Sequence, residues 1–421
     1  MSIFLGVSIA LFNFILLCKN RDKGIILYCI LLAVCPVSII GSTSLVYSYV
    51  SLPFLIFWYF LYKGYEVKQF DVLFLLILIY ILTIFATVYS SSLGIASEIN
   101  YISFVGSLKY ILIFLVLSRQ NVLRERFVII LGAIIIINVC ALTLEFMLIQ
   151  IWSPSQVVEL WLRLYGTIGT SGSLNAVMEF GQVGRLHGTF ASSAFPGTLS
   201  MLGIGVYLMR YFKYRDWTSI LMLVASLYCG LCSASKRFFL GAVAMVLVCL
   251  FLKIMWIKAT KLDLKLPLII VLFVFITISL YSVLGEYLNL DYYLQYLLEG
   301  NFGGSLDTRF GEKGVVNSMR PYIEEYGITG LGDIHIRSVL ITDSQFYVSI
   351  FKSGYLGLML HFFIFIRLSS KIYKKKEVIA MVVLFDVIFE FFISTEFYSQ
   401  LGLLFLAYVS SVSLKRKMLI L

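Results

Sequence analysis

The sequence predicts an all-α polytopic membrane protein of about 12–13 transmembrane helices, with a large external loop before the last three. Three observations predict it. Hydrophobic residues make up 60% of the 421 positions and charged residues 13%, with a mean hydropathy of +0.95, whereas a soluble domain carries about twice that charge. Apolar runs of roughly 16 to 25 residues recur along the chain, the length a helix needs to cross about 30 Å of hydrocarbon. Between them, clusters of Lys and Arg fall on alternate loops, the pattern that orients spans with their basic loops in the cytoplasm.

Taken in order, the predicted spans cover 2–18, 25–41, 45–62, 72–90, 100–118, 127–151, 194–212, 218–233, 238–256, 266–284, 346–366, 378–394 and 399–414. The first has neither a basic leader nor an A-x-A-like cleavage site, so it reads as a retained span. Cytoplasmic loops are marked by Lys19, Arg21 and Lys23; Lys63 and Lys68; Arg119, Arg124 and Arg126; Lys213 and Arg215; Lys258, Lys261 and Lys265; Lys371 and Lys374 to Lys376; and Lys415 to Lys417. The same alternation puts the polar segments 152–193 and 285–345 on the opposite side. The expected organisation is thus one transmembrane domain over 1–421 with two external loops. The later loop is acidic and reads as an ordered cap, with the amphipathic stretch Tyr287 to Leu298 at the membrane interface.

A formal charge of +10 invites a nucleic-acid reading, but basic residues confined to short loops between apolar runs orient helices and make no nucleic-acid surface. All seven cysteines lie in or beside apolar runs. Cys229 and Cys232 have C-x-x-C spacing without a second ligand pair, which reads as small-residue packing; no metal and no cofactor are expected.

The informative residues are cations that the topology places externally: Arg163, Arg185, Lys236, Arg237, Arg309, Arg320 and Arg337. Lys236 and Arg237 end a five-residue connection, Ser233 to Arg237, too short to hold them away from the hydrocarbon, where a charge needs a partner. Guanidinium groups bind phosphate oxygens in bidentate fashion, so such a cluster suits a lipid pyrophosphate headgroup. The competing reading pairs them with acids of the loops or with anionic lipid. Inside spans, Lys109, Asn138, Glu145, Asp386 and Glu390 should face a bundle interior. Asp386 and Glu390, at i and i+4, share one helix face, where an ion pair with Lys109 or a proton relay are the alternatives. His361 reads as packing; His187 and His335, in the loops, are candidate acids or bases.

These residues resemble the O-antigen polymerase family within the bacterial O-antigen polymerase and ligase superfamily. Arg185-Leu186-His187-Gly188-Thr189-Phe190, followed by Phe195-Pro196-Gly197, resembles the family's Arg-x-x-Gly-Phe segment leading into a Pro-containing helix start, with Gly188 and Thr189 fitting loosely. Ser235-Lys236-Arg237 is similar to its Ser-Arg turn with one basic residue inserted. Gly330-Leu331-Gly332 resembles its Gly-x-Gly. Asp343-Ser344, preceding Gly354-Tyr355-Leu356-Gly357, has the spacing of its closing motif, in which ligases carry His where this chain has Asp343; that departure favours polymerase over ligase.

The resemblance implies a GT-C-like architecture in the bacterial cytoplasmic membrane with its active site facing the periplasm. It also implies a nucleotide- and metal-independent glycosyltransferase that moves a growing glycan from undecaprenyl pyrophosphate to the terminal hydroxyl of another lipid-linked repeat. On this expectation Asp343, Arg237, Arg309 and His187 are catalytic, and Arg185, Lys236, Arg320, Arg337 and His335 bind pyrophosphate or glycan. The partners are the undecaprenyl-pyrophosphate-linked oligosaccharide, membrane lipid and, by resemblance, a chain-length regulator and a flippase. O-antigen ligase and flippase for the same repeat are the alternative functions.

Overall fold

The computed structural model describes residues 3–34, 38–40, 43–45, 47–63, 71–95, 98–99, 101–153, 155–157, 159–160, 186–190, 194–233, 235–256, 315–335, 344–393 and 399–413. In an apolar solvent every backbone amide and carbonyl needs an internal partner, so apolar runs become helices. These are α1 (Ile3–Lys19), α2 (Arg21–Val34), α3 (Tyr47–Lys63), α4 (Asp71–Ser92), α5 (Tyr101–Leu117), α6 (Asn121–Ile151), α7 (Ala194–Tyr214), α8 (Trp217–Ser233), α9 (Lys236–Trp256), α10 (Val315–Tyr326), α11 (Gln345–Lys375), α12 (Val378–Ile393) and α13 (Gln400–Ser413). Four stretches, Val72–Ser92, Asn121–Ile151, Phe238–Trp256 and Gln345–Lys375, are long and apolar enough to cross a membrane, and shorter apolar helices accompany them. The described chain has the make-up of an all-α membrane protein, with four short strands as its only extended elements.

The helices depart from the predicted spans in three places. The run predicted over 25–41 is not one span: α2 stops at Val34, and β1 (Ser38–Ile40) pairs antiparallel with β2 (Thr43–Leu45) in the register Ser38↔Leu45. Pro36 explains the stop, because a residue before proline avoids the α conformation, and the β-branched run that follows favours a strand. The span predicted over 127–151 begins earlier, at Asn121. The one predicted over 346–366 is part of a longer helix, α11, with a break at Gly354. The span predicted over 266–284, and Tyr287 to Leu298, lie outside the described residues.

Two compact units divide the chain. The first comprises Met1–Phe54, Glu125–Tyr296 and Val378–Asp386. In it α1 and α2 form a tight hairpin: the Asn20 side chain accepts the Lys23 amide, and the buried Asn13 amide donates to the Gly24 carbonyl. A Cβ at Gly24 would stand 2.6 Å from the Leu17 Cα, so only glycine permits this approach. Helix α7 packs along both α8 and α9. Its small residues let the helices close, with Gly203 against Ser226 and Gly205 against Met245.

The second unit comprises Leu55–Arg124, Leu297–Glu377 and Val387–Leu421. Helix α11 packs against α4 and α13, and α5 against α4 and α13. The amphipathic α10 covers the start of α11 through a cluster of Met319, Leu331, Ile334 and Phe351. Strand β3 (Glu98–Ile99) pairs antiparallel with β4 (Ile334–His335).

Candidate functional site

In the first unit a loop turns inward against α6. Residues 186–190 are buried although they belong to a segment predicted to be external. Non-helical backbone is tolerated at such depth only where protein groups satisfy it, and two α6 side chains do so. The His187 amide donates to both oxygens of Glu145, at 3.0 and 2.9 Å, and the Gly188 amide donates to one of them at 2.7 Å. The Thr189 amide and hydroxyl lie 3.0 and 3.2 Å from the Asn138 side-chain oxygen. Asn138 and Glu145 are two helical turns apart and so share one face of α6. Gly188 sits at φ 61°, and a Cβ there would lie 2.2 Å from the Asn138 oxygen, so the turn requires glycine. The His187 ring is turned to the same carboxylate, with Nδ1 3.7 Å from Glu145 Oε1.

Both ends of this loop are tied down. The Leu186 amide donates to the Cys232 carbonyl at 3.0 Å, which joins the residue after Arg185 to the last turn of α8. Phe190 stacks on Phe195 in the first turn of α7, their centroids 5.6 Å apart. Gly197 packs against Ser233 and Ser235, and Gly230 against the Phe238 ring, so α8 turns sharply into α9. Where the sequence predicts a short connection through Arg237, the structure makes Lys236 and Arg237 the first two residues of α9. The start of α7, the end of α8, the start of α9 and the anchored loop therefore meet at one end of this unit.

The second unit holds another tied segment. Helix α11 breaks at Gly354, with φ 67° and ψ −175°. The carbonyls freed by the break are taken by the segment just before α11: the Leu331 amide donates to Phe351 at 2.7 Å, and the Gly332 amide to Lys352 at 2.9 Å. In return the Tyr355 amide donates to the Gly327 carbonyl at 2.7 Å. Gly330 and Gly332 have φ of 74° and 79°. A Cβ at Gly330 would stand 2.5 Å from the Gly354 nitrogen, and one at Gly332 would stand 2.3 Å from the Thr87 nitrogen. The Gly-x-Gly segment and Gly354 are thus two halves of one backbone-to-backbone joint. Beside it the buried Asp333 carboxylate pairs with the Lys352 ammonium, and the Asp333 amide donates to the Thr87 hydroxyl at 2.8 Å.

Of the predicted site residues, Arg185, Arg309, Arg337 and Asp343, like Arg163, lie outside the described residues. For Lys236, Arg237 and His335 only the backbone is described, in α9 and in β4. His187 is buried in the α6 anchor. Arg320 is on the exposed face of α10, where its guanidinium pairs with Glu324 at 2.7 Å, one turn on. Lys109, Asn138, Glu145, Asp386 and Glu390 are all buried, as interior-facing span positions require. Lys109 lies over the Tyr110 ring, 4.3 Å from its centroid. His361 Nδ1 is 2.8 Å from the Gly357 carbonyl. Cys229 and Cys232 are both buried, and the Asn138 amide reaches the Cys229 sulfur at 3.5 Å.

Sequence reasoning missed the Asp333–Lys352 pair. A signal was present, because Lys352 stands within the apolar run predicted over 346–366, and a charge inside a span calls for a partner. Compared with known proteins, the chain matches no family model, no curated protein and no solved structure.

Proposed function

We propose that this membrane protein polymerises lipid-linked oligosaccharide repeats at the outer face of a bacterial cytoplasmic membrane, with a GT-C-like polymerase/ligase architecture. One observation carries the reading. In the first unit, the anchored segment that follows Arg185 is bonded, from Leu186 to Cys232, to the last turn of α8, four residues before the α9 turn that opens with Lys236 and Arg237. Two cations in the first turn of a helix add to the positive end of its dipole, an unfavourable arrangement of about 0.3–1 kcal/mol each that an anion relieves. Backbone amides at a helix start favour the same kind of ligand. A lipid pyrophosphate has the matching charge.

In the proposed reaction the terminal hydroxyl of one lipid-linked repeat attacks the anomeric carbon of a glycan carried on undecaprenyl pyrophosphate. The new glycosidic C–O bond forms, the bond to the pyrophosphate oxygen breaks, and the lipid pyrophosphate leaves with the electron pair. Arg185, Lys236 and Arg237 stabilise the leaving charge. The hydroxyl proton goes to a general base, the role that the family resemblance gives to Asp343.

The test is reconstitution of the purified protein in proteoliposomes with lipid-linked repeats and no nucleotide. A ladder of longer products is expected. Repeats that cross the bilayer without growing would make the protein a flippase, and transfer to a lipopolysaccharide core without a ladder would make it a ligase. Arg237→Ala should slow the ladder by about 10²–10³-fold, the usual loss when one preorganised contact to developing charge is removed. An unchanged rate removes that cation from the reaction.

A further inference from the structure

In the second unit, helix α11 carries charge where a membrane span should carry none. Arg367 is exposed although it lies within the apolar stretch Gln345–Lys375, about 12 Å before its end at 1.5 Å per residue. A guanidinium at that depth is tolerated where it can extend to the headgroups and meet phosphate. Lys371 and Lys375 follow at i+4 and i+8, so two like-charge pairs stand in succession, an arrangement that repels itself until an anion joins it. The helix dipole accounts for Lys374 and Lys375, but its effect falls off within the last turn and does not extend to Arg367.

Neighbouring helix ends add to this row. The Lys375 ammonium donates to the Val412 carbonyl, next to the last residue of α13, at 2.6 Å, and lies within electrostatic range of Arg124 and Lys371. Arg124, near the start of α6, reaches the Glu377 carboxylate at 3.4 Å. The ends of α6, α11 and α13 thus bring Arg124, Lys371 and Lys375 together, with Glu377 among them. On the other side of the row, Met359, Phe363, Ile366 and Tyr373 are exposed at helical spacing, an apolar stripe along α11 that ends level with Lys374.

An apolar stripe that runs into a basic cluster has the shape of a phospholipid. We infer that the end of α11 holds an anionic phospholipid, its phosphate among Arg367, Lys371 and Arg124 and an acyl chain along Met359, Phe363 and Ile366. Arginine can take phosphate oxygens in bidentate fashion, and a lysine ammonium has donors to spare beyond one carbonyl. A zwitterionic headgroup would bring its own ammonium into the cluster, whereas an anionic one brings none. Nothing in this site depends on the reaction proposed above.

The test titrates the purified full-length protein with phosphatidylglycerol and with phosphatidylethanolamine of matched chains, counting bound lipids by native mass spectrometry. Wild type should bind phosphatidylglycerol about tenfold or more tightly. Arg367→Gln/Lys371→Gln should weaken phosphatidylglycerol by about tenfold to thirtyfold, each cation near the headgroups being worth about fivefold, and change phosphatidylethanolamine by less than about threefold. Lys19→Gln/Lys23→Gln, the same charge change in the first unit, should leave both affinities within about threefold. Arg367→Lys/Lys371→Arg keeps the charge and should keep the preference, and equal unfolding temperatures in zwitterionic nanodiscs show that the variants fold. Equal losses in the two glutamine variants would overturn the inference, because net charge and not a site would then select the lipid. Displacement of phosphatidylglycerol by millimolar glycerol phosphate would overturn it in favour of a soluble anion. Wild type that binds the two lipids alike also overturns it and leaves this face to a protein partner.

Discussion

The two tied segments meet the same physical demand by opposite means. Each brings irregular backbone against membrane-type helices, where an unpartnered amide costs several kcal/mol. In the first unit, side chains of an unbroken helix do the accepting: Glu145 and Asn138 reach out of α6 to the amides of His187, Gly188 and Thr189. In the second unit the helix itself opens at Gly354, and its own carbonyls accept Leu331 and Gly332. A side-chain anchor leaves the helix intact and can be retuned by one substitution. A backbone joint can be encoded only by glycine, at Gly330, Gly332 and Gly354, because any Cβ would collide with main chain or with Thr87. The first design sets a short loop against one helix face, and the second makes a fixed seam between residues 327–332 and α11.

If that contrast is sound, the largest loss should come from the backbone joint. Gly332→Ala puts a side chain at φ 79° and a Cβ 2.3 Å from the Thr87 nitrogen; it should cost on the order of 3 kcal/mol or more, read as a lower unfolding temperature in nanodiscs. A shift near zero would mean that the joint yields easily. Next comes Glu145→Ala, which strands the amides of His187 and Gly188 but relieves a buried charge. A net loss of about 2–4 kcal/mol is expected in the same assay. Wild-type stability in that variant would break the comparison, since the side-chain anchor would then hold nothing.

Smaller effects sharpen it. Lys352→Met leaves the buried Asp333 carboxylate without its ammonium partner and should cost about 1–3 kcal/mol, less than for a fully buried pair because the lysine is partly exposed. Adding Asp333→Asn should restore most of that; if the double variant is worse than the single, the pair is not what matters. Smallest of all is a carboxylate near the surface. Burial opposes its charge, but the hydroxyls of Ser219 and Thr218 and the Arg210 guanidinium hold the Asp216 carboxyl at about 2, below its ordinary 3.8. A depressed folded value contributes stability above about pH 4 that is lost as pH falls through about 2. The gap in unfolding temperature between wild type and Asp216→Asn should therefore shrink from pH 5 to pH 2. A constant gap would assign the effect to shape, not charge.

Part of the first anchor is legible in the sequence. Asn138 and Glu145 stand out as polar residues in an apolar run, and the rule that such groups face inward locates them correctly. Their partners are not legible, because a backbone amide carries no mark in the sequence. Gly330, Gly332 and Gly354 are visible as a spaced pattern, but the pattern does not say that one glycine breaks a helix so that the amides of Leu331 and Gly332 can cap it. Lys236 and Arg237 read as a connection, since nothing local distinguishes a short loop from the first turn of a helix whose entry is set by Phe238 packing on Gly230.

What the sequence determined by itself is the solvent: runs of apolar residues of bilayer length, punctuated by basic loops, require helices in lipid whatever their arrangement. What only the tertiary structure decided is which polar groups meet, that Glu145 holds the loop after Arg185 and that Asp333 finds Lys352. The physical reason is range. Hydropathy acts residue by residue along the chain, whereas a buried hydrogen bond depends on two segments far apart in sequence arriving within about 3 Å of each other.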